Sequence, residues 1–343
     1  MTDHASAPDL TDERLAAHVR AADLSGLPWT ERLRRVREDR GFATPSFIEL
    51  GISLGREIEL SPVDRERWAQ LAVEAAMRAR SRRAEQLEPL AWAVLGNAHR
   101  VRGKLSAGRS AFIHCHALRC RMTDPLELAD TLSFEASYWS AIAFWSSRSQ
   151  WAGRCGNDGR KALVKAAELM DVALDGATGV ATDSVIGRYE IQAGQIANEA
   201  GRWSVAMTML FSALDRIDPG NHPRLAVIAS EHLAKTACEC GLLDAAMAGI
   251  VRLQGIYERV PDPKVRLFRD WLVADITAKL GRVGEAERLL HEVRAGFMER
   301  GFPFEAGLAD LETAELAAAT DRWSAATQLR SRGFHTLRAG AAQ

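Results

Sequence analysis

Apolar and polar positions along this chain follow a helical period, and the helices come in pairs. Across residues 184–200, apolar or small side chains stand at Ile186, Tyr189, Ala193, Ala197 and Ala200, close to one per 3.6 residues. Gly201 follows, where a helix end favours a residue that tolerates positive φ. Ser204 stands near the start of a second helix, in position to cap free N–H groups. Met209, Leu210, Ala213, Leu214 and Ile217 make its buried stripe, and Asp218, Pro219, Gly220 and Asn221 end it.

This grammar recurs every 40 residues: Gly201-Arg202-Trp203-Ser204-Val205-Ala206, Gly241-Leu242-Leu243-Asp244-Ala245-Ala246, Gly281-Arg282-Val283-Gly284-Glu285-Ala286 and Asp321-Arg322-Trp323-Ser324-Ala325-Ala326. A fixed period of this length marks a stack of helix pairs. Seven residues before each turn stands Gly194, Ala234, Ala274 or Ala314, and five after it Ala206, Ala246, Ala286 or Ala326. Both columns are small because the paired helices cross there; a larger side chain would cost about 1–3 kcal/mol in overpacking. Trp203 and Trp323 share one column beside the turn and are expected to be packing residues.

The same grammar appears earlier. Trp92-Ala93-Val94-Leu95-Gly96 is expected to begin a helix, Gly103 makes the turn, and Gly108 and Phe112 follow. Trp92, Leu95, Gly96, Gly108 and Phe112 stand at the offsets of the tetratricopeptide (TPR) repeat, and the chain resembles that family over roughly residues 45–338. The longer period implies longer helices, similar to bacterial TPR proteins of the signalling and regulatory type. The resemblance implies an all-α, right-handed TPR-like α-solenoid of about seven helix pairs, at 45–82, 87–122, 126–175, 182–217, 223–258, 262–299 and 303–338. Residues 1–44 hold a tail and two capping helices, at 11–24 and 28–40; residues 45–343 form the solenoid.

The period breaks once. One unit after Gly103 falls at Ala143, yet the next turn is Gly201, 18 residues late. The extra material, 144–159, holds Trp145 and Trp151, with Trp139 just upstream. Two readings fit: a lengthened helix whose tryptophans fill gaps, or a protruding lobe that contacts a partner, tryptophan being enriched at interface hot spots.

In TPR arrays the first helix of each pair lines the concave surface. The resemblance therefore assigns a partner-binding face to Asn97, Arg100, Ser133, Ser137, Arg188, Gln192, Gln195, Asn198, Glu231, His232, Lys235, Trp271, Asp275, Glu312 and Glu315. Amides there would hydrogen-bond an extended peptide backbone, and Arg188 or Lys235 would hold a carboxylate.

Composition narrows the function. Hydrophobic residues make up 47% of the 343, enough for a large core. The net charge of −1 lacks the basic excess of a nucleic-acid binder. The arginine runs at 32–40 and 78–83 fit solvated helix faces. No apolar leader or membrane-length apolar run appears, and five cysteines form no disulfide pattern, so a cytoplasmic location and no membrane partner are expected. His116 and Cys120 are spaced to share a helix face, but a structural zinc needs four ligands and nothing local completes the set. Gly51-Ile52-Ser53-Leu54-Gly55 matches a nucleophile elbow, a motif that needs a strand before it, whereas this stretch is amphipathic helix. No catalytic constellation assembles, and no cofactor is expected. The expected function is a non-catalytic scaffold or regulatory subunit that binds a protein or peptide. The alternative is a sensor that binds a small molecule or signalling peptide and controls a partner protein.

Overall fold

The computed structural model describes residues 10–57, 60–149, 157–260 and 262–342, and these contain helices and no strand. They divide into two compact units, residues 1–180 and 181–343.

In the first unit α1 (Leu10–Ser25) packs on α3 (Pro45–Arg56), and α2 (Trp29–Glu38) on α4 (Pro62–Ala76). The pairs α5 (Arg82–Val101) with α6 (Leu105–Leu118), and α7 (Pro125–Ser149) with α8 (Asn157–Ala177), follow. Thr44, Ser61 and Ser81 cap α3, α4 and α5 by accepting from the amides of Phe47, Asp64 and Ala84. Helix α5 starts at Arg82 rather than 87, and Trp92 lies in its middle rather than at its start. Pro89 sits inside this helix. The lateness of the fourth turn is partly explained by helix length: Ala143 lies inside α7, 25 residues long, and α8 has 21.

In the second unit α9 (Asp183–Glu199) pairs with α10 (Trp203–Arg216), and α11 (Pro223–Glu239) with α12 (Leu243–Arg252). Then come α14 (Pro263–Lys279) with α15 (Val283–Glu299), and α16 (Pro303–Ala319) with α17 (Trp323–Ala342). The expected second helix at 243–258 breaks at Leu253, and its last turn is a separate short helix, α13 (Gln254–Tyr257). Three first helices open on Pro223, Pro263 and Pro303, a further 40-residue column; proline suits N1, where no amide bond is lost.

The turns have the expected chemistry. Gly103, Gly201, Gly241 and Gly281 hold φ of 71°, 70°, 78° and 81°, and Asp321 takes the same left-handed position at 60°. The next amide reaches back five residues, as from Arg202 to the Ala197 carbonyl at 2.8 Å. Ser204, by contrast, caps nothing: α10 opens after Arg202 with no side-chain cap.

The crossing columns are buried. Ala206, Ala274 and Ala286 are each fully covered, and a Cβ on Gly194 would meet Leu210 Cγ at 2.8 Å. Gly96 and Gly108 repeat the arrangement, with Phe112 lying against Gly96. Trp203 and Trp323 correct the expectation of packing: they are 42% and 63% exposed. Their column fixes a place at the start of the second helix, beside the turn, and not how much of the side chain is covered.

Because Asp321 is an L-residue in the left-handed region, Asp321→Gly is expected to stabilise the protein by up to about 1 kcal/mol. Gly241→Asp is expected to lose a similar amount. Urea unfolding midpoints of the two variants would show this; equal midpoints would contradict it.

Candidate binding faces and a charged cavity

The first helices of the second unit are cross-linked at about one repeat length. Arg224 Nη1 donates to Asp262 at 2.6 Å, Lys279 reaches Glu239 at 3.0 Å, Lys264 reaches Glu305 at 2.5 Å, and Trp271 Nε1 donates to Glu312. Cys238 Sγ lies 3.8 Å from Asp275. Such bridges are individually weak, but they set the register between neighbouring first helices.

One column of polar residues runs along this face. Gln195, Lys235, Asp275 and Glu315 each stand six residues before a turn, and all are exposed or half-buried. Asn97 holds the same place in α5 and accepts from Arg100 Nε at 2.9 Å. Gln195 donates to Glu199 at 3.0 Å. Gln192 is half-buried one turn back, and the exposed Arg188 lies 5.1 Å above the Tyr189 ring. The Asn198 Oδ1 atom is buried without a hydrogen bond. Trp271 is half-buried, stacked on Phe268 with ring centroids 6.0 Å apart.

In the first unit Ser137 is half-buried and Ser133 buried on α7. Trp139 packs edge-on to Tyr138 and its Nε1 donates to Glu135 at 3.4 Å, while Trp145 packs against Phe144. Trp139 and Trp145 are thus half-buried helix residues of α7. Trp151 lies outside the described residues. Ser53 is exposed on α3, which is helical through both Gly51 and Gly55. Cys120 falls in a 3₁₀ turn after α6, off the helix that carries His116.

A cavity of about 440 Å³ opens where α3, α5 and α7 meet. Ile52, Leu87, Leu90 and Leu126 give it apolar wall, and Glu49, Glu57, Glu127, Asp130 and Arg56 give it charge. Arg56 pairs with Asp130 at 3.0 Å and lies 5.1 Å over the Phe134 ring. Arg83 ties Glu49, at 3.0 Å, to Glu127, at 2.6 Å. Sequence reasoning missed this cavity. Its residues come from three helices up to 81 positions apart, partly in the stretch before residue 87 where the repeat pattern is weak.

Electrostatics distinguish anchored groups from tunable ones. Burial pushes the Glu66 carboxyl up, but His99, at 3.7 Å, and hydrogen bonds from Lys104 and Arg102 outweigh it and hold the group down at about 2. On α11, burial raises Glu231 to about 7 despite its 2.7 Å hydrogen bond from the Tyr257 hydroxyl and the nearby Arg269 and Arg224. Burial, then Lys235, lowers the adjacent His232 to about 4.

No known family model matches the chain, and no curated protein matches it. Solved structures do share its fold. A Rap protein complexed with Competence and Sporulation Factor superposes with a TM-score of 0.63 over 86% of this chain and 77% of that one, at 12% identity. The chain has the all-α fold of that Rap protein. Two others align with lower scores. Apo RapI gives 0.42 at 12% identity, over 73% of this chain and 98% of its own. Aspartyl phosphate phosphatase F from Bacillus subtilis gives 0.48 at 10%, over 98% and 96%. No helix among the described residues is long and apolar enough to cross a membrane.

Glu231 and His232 act on stability with opposite sign. Folded Glu231 keeps its proton up to about pH 7 while the unfolded chain loses it near 4.5, so its contribution falls as pH rises through that window. Folded His232 stays neutral down to about pH 4 while the unfolded chain protonates near 6.5, so its contribution is lost as pH falls through that window. Glu231→Gln should remove the first effect and leave the second: relative to the native protein, the variant gains stability as pH rises from 4.5 to 7. Thermal unfolding of both across that range checks this, and parallel curves would refute it.

Proposed function

We propose that this chain is a non-catalytic regulatory scaffold that binds a protein or extended peptide along the first-helix face of its second unit. The polar row Gln195, Lys235, Asp275 and Glu315 carries the reading. Packed helices lie about 8–10 Å apart and an extended chain advances about 3.3–3.6 Å per residue. Successive members of the row would therefore meet about every third residue of an extended partner. Gln195 offers an amide for its backbone, Lys235 a cation for a carboxylate, and Asp275 and Glu315 carboxylates for basic side chains. Arg188, Gln192, Asn198, His232 and Trp271 flank the row on the same helices, and Trp271, held by Glu312 and Phe268, is the aromatic anchor. In the first unit, taken by itself, Asn97, Arg100 and Ser137 offer a face of the same type, with Trp139 and Trp145 as further contacts. The solved complex of the structurally similar Rap protein with Competence and Sporulation Factor supports a binding role for this fold.

A second reading, a sensor for a small ligand, is favoured by the cavity between α3, α5 and α7. The two readings use different units and are separable by experiment.

Lys235 is exposed, so Lys235→Glu should leave the unfolding midpoint within about 0.5 kcal/mol of native stability. The variant should retain partner at least ten-fold less well in quantitative affinity capture from the source cell. Capture that is equal for native and variant protein, or that recovers nothing above a bare-resin control, would count against the row as the binding face.

A further inference from the structure

We propose that the turn edge of the second unit docks a second copy of this chain, reversed about a two-fold axis between the turns at Gly241 and Gly281. The inference goes beyond the scaffold reading and does not depend on the polar row. It begins from the exposed tryptophans. Trp203 and Trp323 are 42% and 63% exposed, and Leu242 and Leu280, at the two turns between them, are 52% and 43% exposed. The four turns lie along one edge. Met207 and Leu243 pack on one cluster, which joins the first turn to the second. Lys279 reaches Glu239 at 3.0 Å, which joins the second to the third, and Arg322 pairs with Glu287, which joins the third to the fourth. Packed helices lie about 8–10 Å apart, so the row spans roughly 24–30 Å, about the width of one side of a standard protein interface. Single exposed apolar residues are ordinary, but a row of four that begins and ends in tryptophan is a contact surface.

The order of the side chains identifies the occupant. Along the edge the row reads Trp, Leu, Leu, Trp, the same from either end. A two-fold axis that reverses the edge lays Trp203 on Trp323 of the second copy and Leu242 on its Leu280, and every contact occurs twice. The charges obey the same symmetry. Arg202, Asp244 and Asp321 are exposed, and their side chains make no ion pair or hydrogen bond among the described residues. Reversal brings Arg202 to Asp321 of the second copy and Asp244 to its Arg282. Arg282 is 61% exposed and pairs with Glu285 at 2.5 Å; a guanidinium has five donors, so it can bridge Glu285 and the incoming Asp244. Arg322, which reversal also carries toward Arg202, is already turned to Glu287. An unreversed pairing would set the turn that carries Glu239 and Asp244 against its own copy, acid on acid, which like-charge repulsion disfavours.

Sedimentation velocity of the full chain from about 1 to 100 µM tests the proposal, and the native protein should pass from monomer to dimer across that range. Trp203→Ser combined with Trp323→Ser alters only exposed side chains, so it should leave the circular dichroism unchanged and weaken the dimer at least ten-fold. Asp244→Arg sets arginine against Arg282 of the second copy, and Arg282→Asp sets aspartate against its Asp244, so each variant alone should also dimerise at least ten-fold more weakly. Mixed in equal amounts, the two variants should form a heterodimer about as tightly as native protein pairs with itself, because each copy supplies the charge that the other lacks. Native protein that stays monomeric up to 100 µM would overturn the proposal, as would a dimer untouched by the tryptophan substitutions. A mixture of the two charge variants that associates no better than either alone would overturn it too, by removing the reversed register. Partner capture through Lys235 is measured separately, so failure here leaves the scaffold reading untouched.

Discussion

The close crossing of two helices at a pair of small residues is the constraint on which this structure depends. Where Gly194 faces Leu210 and the Ala206 carbonyl, there is no room for another carbon. Gly96 against Phe112 sets the same limit in the first unit, and Gly307 against Gly333 brings α16 and α17 together backbone to backbone. Dispersion falls steeply with separation, so each crossing gains its packing energy only if the helices approach this nearly. The left-handed turn residue five to seven positions away aims the second helix at the crossing. Turn and crossing therefore act as one device, repeated, and long-range order follows from a local rule.

A second, weaker device fixes how one pair sits on the next. Ion pairs and hydrogen bonds between first helices recur at separations close to the repeat length, from Arg224 with Asp262 to Trp271 with Glu312. The strongest charge burial is of another kind. Asp310, fully buried, is held by Arg294 at 2.9 Å and Arg332 at 2.5 Å beside the Gly307–Gly333 contact. Removing either partner there would leave a buried charge under-compensated, which is costlier than losing a surface pair.

The parts of this fold that were legible in sequence are those decided by one residue's size or φ. Gly241 and Ala246 announce a turn and a crossing because almost no other residues fit. What stayed hidden depended on neighbours. Trp203 and Trp323 share a column, but a column gives position along a repeat and not what covers it. Helix α5 starts at Arg82, ahead of the expected 87. Helix α12 breaks at Leu253, where nothing in the local pattern marks an end. The cavity between α3, α5 and α7 was hidden for a similar reason: its charges come together only when three helices do. The polar row at Gln195, Lys235, Asp275 and Glu315 is intermediate. Its residues were visible as polar positions on first helices, and their alignment emerged from counting back from the turns.

The most direct measurement of the central claim compares one substitution at two adjacent residues. Ala246 lies at a helix crossing and is 1% exposed, whereas Ala245 is exposed on the same turn of α12. The account predicts that Ala246→Leu costs about 1–3 kcal/mol in urea unfolding, while Ala245→Leu stays within about 0.5 kcal/mol of native. Equal effects at the two positions would contradict it.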